Sequence, residues 1–144
     1  WKKKHHTVKN NVMSNLGRKI LYLSDTYEGR VQDKKICDEE PFEFQKEIEL
    51  LQDLGYQGHT PKNAVIQMPL KSSKYRKLTD QEKKENKLKS SRRVAIEHAI
   101  SGVKRCRIVK DIFRYRRYGY DDLVIELACG LHNFRIEHRT HIET

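Results

Sequence analysis

The sequence contains few cysteines, and their spacing excludes the commonest structural uses of this residue. Its three cysteines, Cys37, Cys106 and Cys129, are far apart and lie outside any C-x-x-C or cysteine–histidine motif. Neither a disulfide framework nor a structural zinc site is therefore expected, and each cysteine is predicted to be a small apolar residue. The adjacent His5 and His6 are interpreted as the polar side of a strand rather than as metal ligands.

Long apolar runs are absent as well. No stretch approaches the roughly 18 apolar residues that a membrane-spanning helix needs, and the basic segment after Trp1 is unlike a signal peptide. Hydrophobic residues make up 36% and charged residues 35% of the chain, which allows one modest core beneath a charged surface. The 144 residues are predicted to form a single domain in the cytoplasm, associated with the nucleoid and without a membrane partner.

Positive charge is in excess, and it is concentrated in one segment of a chain whose formal net charge is +10. Residues 61–117 hold 18 Lys and Arg against five Asp and Glu, whereas the remainder holds 12 basic and 15 acidic residues. Such a field attracts a polyanion, and neutralised phosphates release counterions, so nucleic acid is the expected partner. The alternative is an ordinary solvated lysine-rich helix. The interleaved Arg and Tyr of residues 114–118 favour nucleic acid.

The N-terminal part of the chain predicts a β-hairpin. Residues 6–13 and 19–27 are rich in residues that favour strands. Between them, residues 14–18 contain the Asn and Gly that a tight reversal requires.

The middle of the chain predicts short elements separated by turns. Residues 31–40 have helical character, and residues 47–53 and 64–68 predict two further strands. Residues 70–79 are basic and poor in apolar side chains, so they are predicted to form a flexible basic loop. With the helices that follow, this order predicts an α/β fold in which helices pack on one mixed sheet.

Two helices are predicted in the C-terminal half. Thr79 and Glu82 fit a capping box, in which the hydroxyl and the carboxylate each bond the other residue's backbone N–H. The predicted core-facing stripe of this first helix consists of Ala95, Ile96, Ala99, Ile100, Gly102, Val103 and Cys106. Gly119 breaks the pattern, and Asp121 and Asp122 open a last helix. The apolar row of that helix consists of Leu123, Leu127, Leu131 and Phe134.

Two carboxylates are candidates for metal chemistry. Asp53 ends a predicted strand, and Glu97 follows Arg93 by one turn on the long helix. Carboxylates at a strand end and on a helix packed over that strand can converge on a divalent cation, beside basic residues that hold a phosphodiester. The alternatives are structural: Asp before a glycine-containing turn bonds its own backbone, and Glu97 can pair with Arg93.

Two motifs carry a resemblance to a known family. D-x-G-Y-x-G begins at Asp53, and R-x-x-x-E-H-x-I-x-x-x-K runs from Arg93 to Lys104. With residues 2–14, 50–61, 77–109 and 125–136 around them, these motifs resemble the DDE transposases of bacterial insertion sequences, in the branch related to the Harbinger elements. The resemblance implies an RNase H-like catalytic domain, whose second and third catalytic acids match Asp53 and Glu97.

The resemblance has two departures. The first catalytic aspartate of the family lies on a strand preceding the one that begins this sequence, and Asp25 falls on the wrong strand to replace it. The family's His-Asp pair is matched by Gln32 and Asp33, so only its aspartate is kept. The chain is therefore expected to be the C-terminal portion of the catalytic domain, weak or inactive alone.

The family mechanism implies in-line attack on a DNA phosphodiester with two Mg²⁺ (or Mn²⁺) ions held by an aspartate, Asp53 and Glu97. DNA, as transposon ends and as target, is the implied partner, and self-association is an open alternative. The side chains expected to contact nucleic-acid phosphates are Lys74, Arg76, Lys77, Arg92, Arg93, Lys104 and Arg105.

Two other functions compete with this hypothesis. One is a basic DNA-binding module without chemistry, either a decayed transposase or an unrelated protein. The other is a structural role in which the basic segment binds an acidic protein.

Overall fold

The computed structural model describes residues 7–110 and 117–139. Its contacts divide the chain into two compact units. Among the described residues, the first unit holds 7–29, 95–110 and 117–139, and the second holds 30–94. The His5–His6 pair and residues 114–116 of the Arg–Tyr cluster lie outside the described residues.

The predicted hairpin is confirmed in the first unit. Strand β1 (Val8–Lys9) pairs antiparallel with β4 (Tyr27–Glu28), and β2 (Val12–Ser14) pairs antiparallel with β3 (Ile20–Leu23). The register shifts by a bulge between Met13 and Ser14, just before the reversal.

A buried polar contact divides the hairpin into these two ladders. The Asn11 N–H donates to the Ser24 hydroxyl at 2.8 Å, and the Ser24 N–H donates to the Asn11 carbonyl at 2.9 Å. Both residues are almost fully buried, so their polar groups need these partners. The Asn10 amide adds bonds to the Ser24 carbonyl and the Thr26 hydroxyl.

The last helix begins where the sequence predicts. Gly119 adopts a left-handed backbone with φ +74°, a conformation that glycine takes at little cost. Helix α4 (Tyr120–Arg139) begins at the next residue, with Asp121 and Asp122 in its first turn. The Asp122 carboxylate also accepts from the Thr26 N–H at 2.7 Å, which fastens the start of α4 to the hairpin.

Two helices precede α4 in this part of the chain, a long α2 (Asp80–Val103) and a short α3 (Arg107–Lys110). Residues 95–103 of α2 belong to the first unit. The buried core of that unit consists of Ile20, Ala99, Val103, Ala128 and Cys129. The stripe predicted on α2 is confirmed at its centre, whereas Ile100 is 36% exposed.

The apolar row of α4 lies outside this core. Its members are between 47% and 60% exposed: Leu123, Leu127, Leu131 and Phe134. The face that packs inward instead carries Ala128, Cys129 and His132. Small side chains allow the helix backbone to approach the hairpin closely, and periodicity alone does not reveal which face does so.

Asn133 fixes α4 to strand β3. Its side-chain oxygen accepts from the Ile20 N–H and its amide donates to the Ile20 carbonyl, both at 2.8 Å. We expect Asn133→Ala to lower the free energy of unfolding by about 2 kcal/mol, because two partly buried backbone groups lose their partner. Urea denaturation measures this. Glu126→Ala, at an exposed position of the same helix, should change it by no more than about 0.5 kcal/mol; equal midpoints for the two variants would contradict the assignment.

The second unit contains the remaining predicted elements. Helix α1 spans Asp33–Glu39, and strands β5 (Ile48–Leu51) and β6 (Ala64–Gln67) pair in parallel, from Ile48 opposite Ala64 to Leu51 opposite Gln67. The helix and both strands are confirmed within two residues of their predicted ends.

The capping box at the start of α2 is also confirmed. The Thr79 hydroxyl accepts from the Glu82 N–H at 3.2 Å, and the Glu82 carboxylate accepts from the Thr79 N–H at 2.8 Å. The bond to the Thr79 backbone holds the pKa of the Glu82 carboxyl below its ordinary value. The helix start is therefore fixed by local sequence alone.

The basic loop over residues 70–79 is anchored at its beginning. The Asn86 side chain accepts from the Leu70 N–H and donates to the Leu70 carbonyl, both at 2.9 Å. The Lys89 ammonium donates to the Met68 carbonyl at 2.9 Å. Flexibility of the rest of this loop stays a prediction.

The prediction of one mixed sheet needs correction. Within the described residues the strands form three separate two-stranded ladders, β1 with β4, β2 with β3, and β5 with β6. The Asn11–Ser24 contact separates the first two ladders, because the Asn11 N–H bonds the Ser24 side-chain hydroxyl there instead of a backbone carbonyl. The coarser α/β class is confirmed. No helix in the described ranges is long and apolar enough to cross a membrane.

Candidate functional site

Asp53 lies two residues after the end of β5, where its carboxylate organises a turn. Its Oδ1 accepts from the Leu54 N–H at 2.8 Å, and it caps a short 3-10 helix over Leu54–Tyr56. The side chain remains exposed. The local hydrogen-bonding role expected of an Asp at such a turn is thus confirmed, and the second carboxylate oxygen is left to face other groups.

Two ion pairs join β5 and the Asp53 turn to helix α2 within the second unit. The Arg93 Nη2 lies 3.3 Å from Asp53 Oδ2, and the Arg92 Nη1 lies 2.8 Å from Glu49 Oε1. Each pair is solvent-exposed, so each is worth about 1 kcal/mol or less in stability. They hold the Asp53 turn against residues 92–93 of α2.

Glu97 is exposed on α2, one turn after Arg93, and belongs to the first unit. The Arg93 guanidinium pairs with Asp53, so the alternative in which Glu97 is simply its partner is not observed. Among the residues that the structure describes, Glu97 has no ion pair, and no cluster of three or more His, Cys, Asp or Glu could hold a metal. The grouping of Asp53 and Glu97 around one ion therefore stays a prediction.

Asp33 also lies in this region, although the sequence pattern gave it little weight. It opens α1, and its carboxylate lies against the glycine of the D-x-G-Y-x-G turn: a Cβ added at Gly55 would come 2.7 Å from Asp33 Oδ2. The glycine is needed there for close approach rather than for a special backbone angle. Only the resemblance to a His-Asp pair pointed to Asp33, and only weakly.

The pKa of Tyr56, in the same turn, is raised in part by both aspartates. Burial, followed by the charges of Asp33, Cys37 and Asp53, raises the pKa of the Tyr56 phenol to about 12. Each of these causes favours the neutral hydroxyl over the phenolate. The turn is therefore a half-buried site of negative potential beside the exposed Asp53 carboxylate.

This shift has a measurable consequence at high pH. Unfolded tyrosine ionises near 10.0 and folded Tyr56 near 12. The contribution of the neutral Tyr56 phenol to the free energy of unfolding is therefore complete below pH 10 and is lost as the pH rises through 12. Ultraviolet difference titration against Tyr56→Phe should isolate a transition near 12, and Asp33→Asn should move it downward. A midpoint at the ordinary tyrosine value in the native protein would contradict the burial of this ring.

The seven basic residues predicted to contact phosphates divide into two groups. Three are engaged inside the second unit by carboxylates, in the pairs Arg76–Glu82, Arg92–Glu49 and Arg93–Asp53. Each of these three guanidinium groups has a carboxylate within 4 Å, and their contact with phosphates stays a prediction. The other four are exposed and lack a carboxylate partner within the described ranges: Lys74, Lys77, Lys104 and Arg105.

Comparison with known proteins identifies the family. A family model described as DDE superfamily endonuclease matches residues 1–133. The chain is also 25% identical over 133 residues to a protein named probable transposase for insertion sequence element IS702, from Microchaete diplosiphon. That alignment covers 91% of this chain and 47% of the relative, so the chain spans about half of the relative's length. No solved structure matches significantly. Because the family match covers nearly the whole sequence, the chain belongs to the DDE superfamily endonucleases, and its resemblance to insertion-sequence transposases is confirmed.

Proposed function

We propose that this chain contributes to metal-dependent DNA strand cleavage and strand transfer during transposition. Family membership supports a nuclease of this class. The proposal adds that Asp53 and Glu97 hold Mg²⁺ or Mn²⁺, that an RNase H-like fold positions them, and that DNA at transposon ends and target is the substrate.

One observation carries the residue assignment. The Asp53 carboxylate is exposed, oriented by the Leu54 N–H and paired with Arg93 in the second unit, and Glu97 is exposed in the first unit. The donor set fits a hard divalent cation, since both side chains offer carboxylate oxygens, which Mg²⁺ and Mn²⁺ prefer. A third acidic ligand is not assigned among the described residues.

The chain's own residues would do three things in the reaction. Asp53 and Glu97 would hold the ion, which when bound supplies activation of the attacking oxygen and charge neutralisation at the phosphate. Arg93 would orient Asp53 through their ion pair. Lys104, exposed and without a carboxylate partner in the described structure, would hold a neighbouring phosphate without reading sequence.

A plasmid-nicking assay tests the proposal. The chain is assayed alone and extended by the coding sequence that precedes the Trp1 codon, with Mg²⁺ or Mn²⁺ and with chelator. We expect divalent-dependent nicking by the extended protein. Glu97→Gln should abolish it, whereas Glu85→Gln, an exposed carboxylate earlier on the same helix, should not.

The outcomes separate the competing functions. Tight, salt-sensitive DNA binding without nicking by the extended protein would overturn the catalytic proposal in favour of a DNA-binding module. Loss of nicking in both glutamate variants would overturn the assignment of Glu97.

A further inference from the structure

The first unit contains an arginine-rich groove that no part of the proposed catalytic site uses. It is a cavity of about 240 Å³ between the hairpin turn, the end of α2 and the last turns of α4. Six of its lining side chains are cationic or titratable: Arg18, His98, Arg105, His132, Arg135 and Arg139. No Asp or Glu lines it. We refer to these six residues as the arginine groove.

Facing rows of two helices form the walls. Positions 98, 101 and 102 at the end of α2, with position 105 in the turn after it, and positions 132, 135, 136 and 139 on α4 follow the same i, i+3, i+4, i+7 spacing in sequence. Gly102 allows the rows to meet, because a Cβ there would lie 2.3 Å from His132 Nδ1. The buried His132 thus lies at the bottom of the groove, and its four arginines are exposed.

Arg18 closes the third side at a backbone cost. It occupies the reversal between β2 and β3 with φ +68°, a left-handed conformation that glycine takes freely and arginine does not. The His132 Nε2–H donates to the Arg18 carbonyl at 2.8 Å, which holds the turn over the groove. An arginine at a position suited to glycine indicates that its side chain has a use beyond turn formation.

The charge of the groove is not balanced within the described part of the chain. None of its four guanidinium groups has a carboxylate partner there, and nearby Glu137 is paired with Lys19 instead. Helix C-termini offer a structural explanation, because α2 and α4 both end near the groove and each terminus carries roughly half a negative charge. Two such dipoles balance about one positive charge, so among the described residues most of the charge of the four arginines is uncompensated.

We propose that the arginine groove binds a backbone phosphate of DNA, as a second contact independent of the metal-binding residues. A cavity of this size is smaller than the roughly 300–1,000 Å³ typical of sites for drug-sized ligands, and it suits a phosphate group better than a whole base. Guanidinium groups bond phosphate oxygens in pairs, which matches the composition of the walls. The contact would position DNA without reading sequence.

Binding of duplex DNA in the presence of EDTA tests the proposal, since it needs neither nicking nor a metal. Arg135→Gln should weaken binding about tenfold and reduce the slope of log K against log salt by about 1. Lys110→Gln removes one charge from an exposed position of the same unit outside the groove, and it should retain most of the affinity. Equal losses in both variants would overturn the proposal in favour of general electrostatic attraction.

Arg18→Gly separates binding from folding. Glycine relieves the left-handed backbone, so the melting temperature should rise by about 2 °C, while DNA affinity falls about tenfold. Unchanged affinity in this stable variant would overturn the proposal. Inorganic phosphate provides a further arm: a thermal shift with phosphate that Arg18→Gly and Arg135→Gln abolish, without any loss of DNA affinity, would assign the groove to a free phosphate and overturn its role in DNA binding.

Discussion

Asp53→Asn is expected to slow metal-dependent DNA cleavage by the extended protein about a thousandfold, with DNA affinity retained within about twofold. The amide keeps the shape of the side chain and its acceptor for the Leu54 N–H, but it removes the charge that an ion requires. Loss of one ligand costs several kcal/mol of charge stabilisation in the transition state. Affinity should persist because phosphate contacts by basic residues supply it.

Glu49→Gln is the matched control for this experiment. Glu49 pairs with Arg92 at 2.8 Å as Asp53 pairs with Arg93 at 3.3 Å, and both acids are exposed. If Asp53 acted only by holding α2 in place, Asp53→Asn and Glu49→Gln would reduce activity by similar factors. Both would then lower the free energy of unfolding by similarly small amounts. A thousandfold loss confined to Asp53→Asn is the expected result, and equal rates in the two variants would contradict a metal-binding role.

Gly102→Ala is expected to give the largest loss of stability among single-methyl additions to helix α2, about 1–3 kcal/mol. Alanine improves helix propensity by about 1 kcal/mol, but its Cβ would lie 2.3 Å from His132 Nδ1 and 2.4 Å from His132 Cε1. The buried ring must shift, which costs about 1–3 kcal/mol of overpacking and about 1 kcal/mol for the hydrogen bond to the Arg18 carbonyl. The melting temperature should fall by about 3–9 °C.

Gly130→Ala tests the same substitution without the clash. Nothing lies within 4 Å of a Cβ placed at Gly130 in helix α4, so the propensity gain should appear as up to about 1 kcal/mol of added stability. Thermal and urea denaturation measure both variants. Stabilisation by Gly102→Ala of the same size as by Gly130→Ala would show that His132 does not press on the α2 backbone.

Local rules predicted most of the secondary structure. The Thr79–Glu82 box fixes the start of α2 through groups three residues apart, and Gly119 precedes α4 because few other residues adopt its backbone angle. The hairpin turn follows from Asn15, whose side chain accepts from the Lys19 N–H. Each of these features depends on residues no more than four positions apart. The local sequence therefore contains the information needed to predict these helix starts and this turn.

Contacts between distant segments were not predictable in this way. The leucines of α4 form the more regular apolar row, yet Ala128 and Cys129 are the residues in the core, because close approach favours small side chains there. The Asn133 clamp joins residues 113 positions apart, and the His132–Arg18 bond spans 114. Nothing in the local pattern of either segment indicates its partner.

The candidate site shows the same division. Its strand, its turn and its helix were predicted, and Asp53 lies two residues beyond the observed end of that strand. The engagement of Arg93 by Asp53 rather than by Glu97 depends on how β5 and α2 meet, and the closeness of Asp33 to Gly55 depends on α1. Such choices between partners are tertiary, so residue types and spacing leave them open.

Metal-directed cleavage of the polypeptide tests the central claim most directly. Fe²⁺ substitutes for Mg²⁺ in the extended protein, and ascorbate with peroxide generates radicals that cut the backbone only near the bound ion. We expect cuts next to Asp53 and next to Glu97, suppressed by excess Mg²⁺ and lost at both places in Asp53→Asn and in Glu97→Gln. Cuts at other positions that persist in both variants, in a protein that still nicks DNA, would contradict it.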